Sequence, residues 1–410
     1  MDDRERGSKA HVLVFPGPGQ GHINPMLQFA KRLAFRGIKV TLATTVFISK
    51  SMQAEVGSIQ IETNSDGYDE GGYDSANSAE EYCERLKDNG SRTLTQLIFK
   101  YQDSDYPFTC LLYDPFLPWA LDVAKHFDLF GAAFFTQSCA IFAIYYYIRC
   151  ARLTVPFATQ DVQMPGLPSL GISHFPSFVS DKGSHPYFLM MFLDQYSNLD
   201  QADWILINSF DKLEAEVLNC LMGHWRIKMI GPTVPSLYLD KHIEGDNGYG
   251  LNLWKPNVDA CMKWLDARET GSVIYVSFGS VTKLEVEQME ELAWVLGMSN
   301  KYFLWVTLEG LSLGVPLVGV PRWTDQPTNA KYVEGVWGVG VRARMDEMGM
   351  VKREEIERCI REVMEGLKGK TFEKNSSRWR ELAKEAVDVG GSSDKNIEEF
   401  VSELVRVKRP

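Results

Sequence analysis

The stretch from Val12 to Leu42 constrains the fold more than any other part of the chain. Val12-Leu-Val-Phe-Pro16 reads as a short buried strand, and a glycine-rich turn follows, Gly17-Pro-Gly-Gln-Gly-His22. Met26, Leu27, Phe29, Ala30 and Leu33 recur at helical spacing, with Asn24 suited to the N-cap and Pro25 to the first helical position. Gly37 supplies a stop, and Ile38-Lys-Val-Thr-Leu42 is the next strand. Strand, turn, helix and strand in about 30 residues make a βαβ unit, which implies a parallel sheet.

The pattern repeats. Thr109-Cys-Leu-Leu-Tyr113 is a strand ending at Asp114, and a helix runs from Trp119 to His126. Gly131-Ala-Ala-Phe-Phe135 is a strand ending at Thr136 and Gln137, and Trp204-Ile-Leu-Ile-Asn208 closes the first half. Residues 63–79, rich in Asp, Gly, Ser and Asn, read as a loop. After a Pro- and Gly-rich stretch over 230–257, a second series begins. It holds the strand Ser272-Val-Ile-Tyr-Val-Ser277, the turn Phe278-Gly279-Ser280, a helix from Val286 to Met298 and a strand from Tyr302 to Val306.

A chain of 410 residues favours two domains. The expected division is an N-terminal Rossmann-like domain over 1–235, a linker over 236–257, a second Rossmann-like domain over 258–390 and a C-terminal helix over 391–410. Two such α/β domains leave a cleft between them, and ligands of open parallel sheets bind at the carboxyl ends of the strands.

Composition narrows the partners. A net charge of -11 weighs against nonspecific binding to nucleic acid or to anionic membranes. The seven cysteines form no C-x-x-C pair, which points to a reducing compartment. The opening Met-Asp-Asp-Arg-Glu-Arg-Gly lacks the apolar region of a secretory signal, and the longest strongly apolar stretch, Cys139 to Ile148, is too short to span a bilayer. The expectation is a soluble, cytoplasmic protein with no nucleic-acid partner and no membrane span.

Two nucleotide motifs fail in detail. The third glycine of G-x-G-x-x-G falls on His22, and the second strand runs into Thr44 and Thr45, with no acid to hold a ribose. Gly366-Leu-Lys-Gly-Lys-Thr371 ends like a P-loop, but Met364 stands where its first glycine belongs. His22 carries more information. It follows a strand beside a helix N-terminus, which favours the neutral imidazole a general base needs. Asp114 ends another strand of the same sheet, where a carboxylate can fix the tautomer of an imidazole. A turn-capping role for His22 and a helix-capping role for Asp114 fit these facts equally well. The adjacent Asp325 and Gln326 suit a polyhydroxylated ligand, although a helix N-cap at Thr324 or Asp325 is the better reading of those residues alone.

Taken in order, these segments resemble the plant UDP-sugar-dependent glycosyltransferases that act on small lipophilic acceptors. The resemblance lies in Val14-Phe-Pro, Gln20-Gly-His-Ile-Asn-Pro25, Tyr113-Asp-Pro-Phe-Leu-Pro-Trp119, Phe135-Thr-Gln137, Asn208-Ser-Phe-Asp-Lys-Leu-Glu214 and Ile230-Gly-Pro232. It resumes in Trp264-Leu-Asp266, Ser272 to Ser280, Gly314 to Gln326 and Gly390-Gly-Ser-Ser393. It implies a GT-B fold of two Rossmann-like domains facing a cleft, with the acceptor on the N-terminal half and the UDP-sugar donor on the C-terminal half. It makes His22 the general base and Asp114 its partner, in an inverting transfer, most simply of glucose from UDP-glucose to a hydroxyl or carboxyl. It places Thr136 near the donor sugar, Ser277, Gly279 and Ser280 near the phosphates, Glu309 on the ribose, and Asp325 and Gln326 on the sugar hydroxyls. It implies no metal and no cofactor beyond the donor itself, and a role in plant secondary metabolism. The aromatic run Phe142 to Tyr147 fits an acceptor pocket or a packed core, and terpenoid, phenolic and carboxylate acceptors all remain open.

The departure from the family is as informative. Only the last part of the donor-binding signature is present, from Thr307 onward. The tryptophan that stacks on uracil, the histidine at the diphosphate and the Gly-Trp-Asn-Ser turn are missing, and the strand from Tyr302 runs directly into Thr307. The gap is on the order of fifty residues, enough for two strands and a helix. The expectation is a C-terminal domain that lacks those elements, exposes sheet edges and part of its core, and supports little or no transfer. The alternative is a non-catalytic variant that at most binds the acceptor.

Overall fold

All five residues of β1 (His11–Phe15) are buried, as a parallel strand covered on both faces requires. Alternation sends Val12 and Val14 to one face of the sheet and Leu13 and Phe15 to the other. The structure, a computed structural model, describes residues 10–52, 55–155, 157, 160–180, 186–223, 225–251, 258–278, 284–305 and 313–406.

Seven more strands join β1. They are β2 (Lys39–Thr45), β3 (Glu55–Val56), β4 (Ile59–Asn64), β5 (Cys110–Tyr113) and β6 (Phe130–Phe135), then β9 (Trp204–Ile207) and β10 (Ile227–Met229). Between the last two groups, β7 (Asp161–Val162) and β8 (Leu170–Gly171) form a separate antiparallel pair. The strand order is β10-β9-β6-β5-β1-β2-β4-β3, parallel except for β3. From β1 the chain first winds outward through β2 and β4, then returns to β5 and winds the other way. The order therefore reverses between β1 and β5, and a ligand crevice belongs at their carboxyl ends.

The helix after β1 runs Gln20–Phe35, five residues earlier than the Asn24-Pro25 signal suggests. Gly19, extended at φ -145 and ψ 147, is its N-cap, and Pro25 lies inside the helix. The apolar stripe decides this: Ile23 is buried as fully as Met26, Leu27, Phe29 and Ala30, so packing holds helical turns on both sides of the proline. Placing His22 inside the first turn fixes its direction relative to β5.

The second half is built differently from the first. β11 (Val273–Val276) pairs with β12 (Tyr302–Trp305), and β13 (Leu317–Gly319) pairs with β14 (Gly340–Arg342). Among the described residues these are two separate two-stranded parallel sheets. The helices Val286–Met298 and Arg353–Met364 pack together over them through Leu292, Val295, Ile356 and Ile360. Both faces of the β11–β12 pair keep aromatic side chains in solvent, Tyr275 and Tyr302 on one and Phe303 on the other. Trp294 and Met298 of the helix Val286–Met298 are also exposed, at 44% and 67%.

The last helix, Ser392–Arg406, returns to the first half. Its Ile397, Phe400, Val401 and Leu404 join the core beneath β1 and β9, with Phe400 edge-on to Trp204 at 5.3 Å. The connecting segment is also anchored. Arg32 of the first helix pairs with Asp240 at 2.6 Å in a buried contact, and Lys31 pairs with Asp246 at 2.6 Å. Burial pushes the Asp240 carboxyl up, but the Arg32 charge and the Ser236 hydroxyl outweigh it and hold it below its ordinary value. Among the described residues no helix is long and apolar enough to cross a membrane.

Candidate active site

The site follows from strand register. Phe15 of β1 lies opposite Tyr113 of β5, so the residues that leave these two strands emerge side by side. Asp114 is the first residue past β5, and its N–H donates to the Phe15 carbonyl at 3.0 Å. The Gly17–Gly19 turn then brings the helix start back over the strand ends, and His22 Nδ1 meets Asp114 Oδ2 at 2.6 Å. Thr136 leaves β6, the next strand across, at the same edge.

The Asp114 carboxylate is 2% exposed and accepts from three donors. The Gly17 N–H and His22 reach Oδ2, and the Phe116 N–H reaches Oδ1 at 3.0 Å. Because an ionised carboxylate only accepts, His22 Nδ1 carries the hydrogen, and Nε2 remains the basic nitrogen. Gly17 leaves little room here, since a Cβ on it would stand 3.0 Å from Asp114 Oδ2 and press on the carboxylate.

His22 is 31% exposed. Burial lowers its pKa, but the charge and hydrogen bond of Asp114, with a further contribution from the Asp325 charge, raise it above the ordinary 6.5. The result is a more basic imidazole, oriented by a buried carboxylate.

Asp325 and Gln326 come from the other half. Asp325 occupies the N-cap position of the helix Gln326–Lys331 but makes no side-chain capping bond. Its carboxylate instead accepts from the Thr324 hydroxyl at 2.6 Å and from Asn329 Nδ2 at 2.9 Å. Gln326 Oε1 accepts the N–H groups of Arg322 and Trp323, which closes the loop. Thr324, which the sequence offered only as an alternative N-cap, is a β-branched residue at φ 49, where such residues are rare. Its carbonyl accepts the Ser177 N–H at 2.8 Å, tying the Asp325 loop to the first half. Thr328 Oγ1 adds a second tie, donating to the His174 carbonyl at 2.7 Å.

A run of rings links the two sides. Phe116 is edge-on to His22 at 5.1 Å and to Phe192 at 4.7 Å. Phe178 lies 5.4 Å from Phe192 and edge-on to Trp323 at 4.9 Å. The helix Cys139–Arg149, which carries the aromatic run, is buried nearly all round, as a core helix is. One of its members, Tyr145, stacks on Phe192 at 4.7 Å. Ser277 follows β11 and is half-buried, while Gly279, Ser280 and Glu309 lie outside the described residues. The join between Val306 and Thr307 lies outside them as well.

A basic imidazole held by a buried carboxylate at a topological switch point, facing a polar loop from a second α/β half, is the arrangement of a GT-B glycosyltransferase. Known proteins narrow the class. A family profile described as "UDP-glucoronosyl and UDP-glucosyl transferase" matches residues 306–385. UDP-glycosyltransferase 74F2 of Arabidopsis thaliana is 43% identical over 451 residues, spanning 97% of this chain and 98% of that protein. The flavonol 7-O-beta-glucosyltransferase UGT74F1 of the same plant is 44% identical, with the same shares of each chain. Among solved structures, Os79 of O. sativa in complex with UDP matches at a TM-score of 0.90 and 35% identity, over 96% of this chain and all of that one. The chain belongs to the plant UDP-glycosyltransferase family.

Proposed function

We propose that the first half of this chain is the acceptor half of a glucosyltransferase for small lipophilic molecules, with His22 as general base, and that the chain itself transfers little or no sugar. The His22–Asp114 contact carries the first part. His22 Nε2 takes the proton of an acceptor hydroxyl or carboxyl, and the freed oxygen attacks the anomeric carbon of UDP-glucose. The bond to the β-phosphate breaks, UDP leaves with its electron pair, and the anomeric configuration inverts. Asp114 stabilises the imidazolium that forms. Thr136, Asp325 and Gln326 take the sugar hydroxyls, Ser277, Gly279 and Ser280 the phosphates, and Glu309 the ribose. The relatives named above, a flavonol glucosyltransferase among them, support this reading.

Impairment is supported by the second half. Among the described residues its strands fall into two separate pairs with aromatic side chains in solvent, whereas parallel sheets are ordinarily covered on both faces. The alignments to both Arabidopsis relatives run over 451 residues while covering 97% of this chain's 410, or about 398, so they step over about 53 positions this chain lacks. The chain then retains an acceptor half whose donor half is interrupted.

A radiolabelled transfer assay from UDP-glucose to a panel of phenols and aromatic acids tests this. The chain should give no multiple turnover. Inserting a relative's segment between Val306 and Thr307 should restore transfer, and His22→Ala in that restored chain should lower it about 10²–10⁴-fold. Multiple turnover by the chain as it stands would overturn the impairment, and near-normal turnover of His22→Ala would overturn the base.

A further inference from the structure

Buried hydroxyls ordinarily find a partner, because leaving one unpaired costs stability. Tyr145 is 1% exposed, and its hydroxyl has no hydrogen-bond partner among the described residues. The tyrosines around it do better. Tyr147 donates to the Pro165 carbonyl at 3.2 Å, and Tyr196 donates to the Phe142 carbonyl at 2.8 Å. Tyr332 is another buried tyrosine with an unpaired hydroxyl, and its ring packs on Trp337.

The surroundings of Tyr145 are those of the site. Its ring stacks on Phe192, which touches Phe116, which touches His22. The Asp325 carboxylate raises the proton affinity of both His22 and Tyr145, so it lies within electrostatic reach of each. A second unpaired buried hydroxyl, that of Ser177, lies beside the same rings. Its N–H is bonded to Thr324, next to Asp325, and its neighbour Phe178 packs on Phe192.

We infer that the Tyr145 hydroxyl is a specificity-determining contact that donates a hydrogen bond to an acceptor oxygen other than the one being glycosylated. The inference rests on the reading of the first half as the acceptor half. It selects acceptors that carry a second oxygen, one oxygen at His22 and the other at Tyr145. An acceptor whose far end is purely apolar leaves the buried hydroxyl unpaired, and a site built to bond a polar group discriminates against such an analogue.

The test is binding by the intact chain, so it does not depend on transfer. The rings around Tyr145 pack closely, and single-ring probes are therefore used. Calorimetry compares 4-hydroxyacetophenone with 4-ethylphenol, which keeps the phenol and lacks the carbonyl oxygen. Wild type should favour 4-hydroxyacetophenone about 5- to 10-fold. Tyr145→Phe should remove that preference while leaving 4-ethylphenol binding unchanged. The melting temperature of Tyr145→Phe should equal or exceed that of wild type, because no native hydrogen bond is lost. A preference that survives in Tyr145→Phe overturns the assignment and leaves the acceptor reading standing. A clear fall in melting temperature, showing a structural partner for the hydroxyl, also overturns it. Binding of neither probe to wild type overturns the acceptor reading and the assignment with it.

Discussion

Asp114 is almost fully buried and its charge is met by three N–H donors, two from backbone and one from His22. That satisfaction is what allows a carboxylate to remain ionised beneath a cleft. The opposing effects on His22 give a direct prediction at this scale. Burial alone would lower its pKa, and Asp114 is the main reason it lies above 6.5 instead. In Asp114→Asn the charge is gone while the burial stays. The His22 titration, followed by proton NMR across pH 5–9, should therefore move from above 6.5 in wild type to below it in the mutant. An unchanged midpoint would mean that Asp114 does not govern the imidazole. In a restored enzyme the sign carries over to rate. Only neutral His22 accepts a proton, so transfer should fall as pH drops through the raised pKa, and this acidic limb should shift downward in Asp114→Asn.

The elements hold the site from two directions, the strand ends of the first half and the segment that joins the halves. Arg32, on the helix that carries His22, is buried against Asp240. Removing one partner strands the other charge, so Arg32→Ala should destabilise the chain by about 3–5 kcal/mol in urea unfolding. Arg32→Met with Asp240→Leu should recover most of that loss, because neither charge is then left alone. A loss under about 1 kcal/mol for Arg32→Ala would mark the pair as a surface-type contact. Much of this framework is legible in the sequence. The helices Trp119–His126 and Val286–Met298 have the ends that their apolar spacing indicates. His22 and Asp114 could be picked out because strand-end positions in a parallel sheet converge. The start of the first helix was misplaced because Asn24-Pro25 is a strong local signal that core packing of Ile23 overrides. Phe192 and Thr324 were not legible as site residues, and Tyr145 was legible only as one of an aromatic run that fits a pocket or a core equally. Helical spacing of aromatic residues does not separate a pocket lining from a core, and a positive φ at threonine has no signature in residue order.

At the scale of the whole molecule the two halves differ in completeness. The first has an eight-stranded sheet with a core on each face, and the last helix, Ser392–Arg406, closes one of those cores. Among the described residues the second has two strand pairs and leaves Tyr302 51% exposed. The contacts that the family resemblance assigns to the missing part are one base stack and two diphosphate contacts. Stacking contributes roughly 1–3 kcal/mol in single-strand nucleic-acid binders, and hydrogen bonds to charged groups about 1.5–3 kcal/mol each. Their loss amounts to several kcal/mol, or several decades of affinity. The same contacts stabilise the departing UDP, so rate should fall with affinity. Calorimetric titration of the purified chain with UDP measures this most directly. The account predicts no saturable binding below millimolar UDP, and micromolar affinity would contradict it by showing that other residues rebuild the donor site.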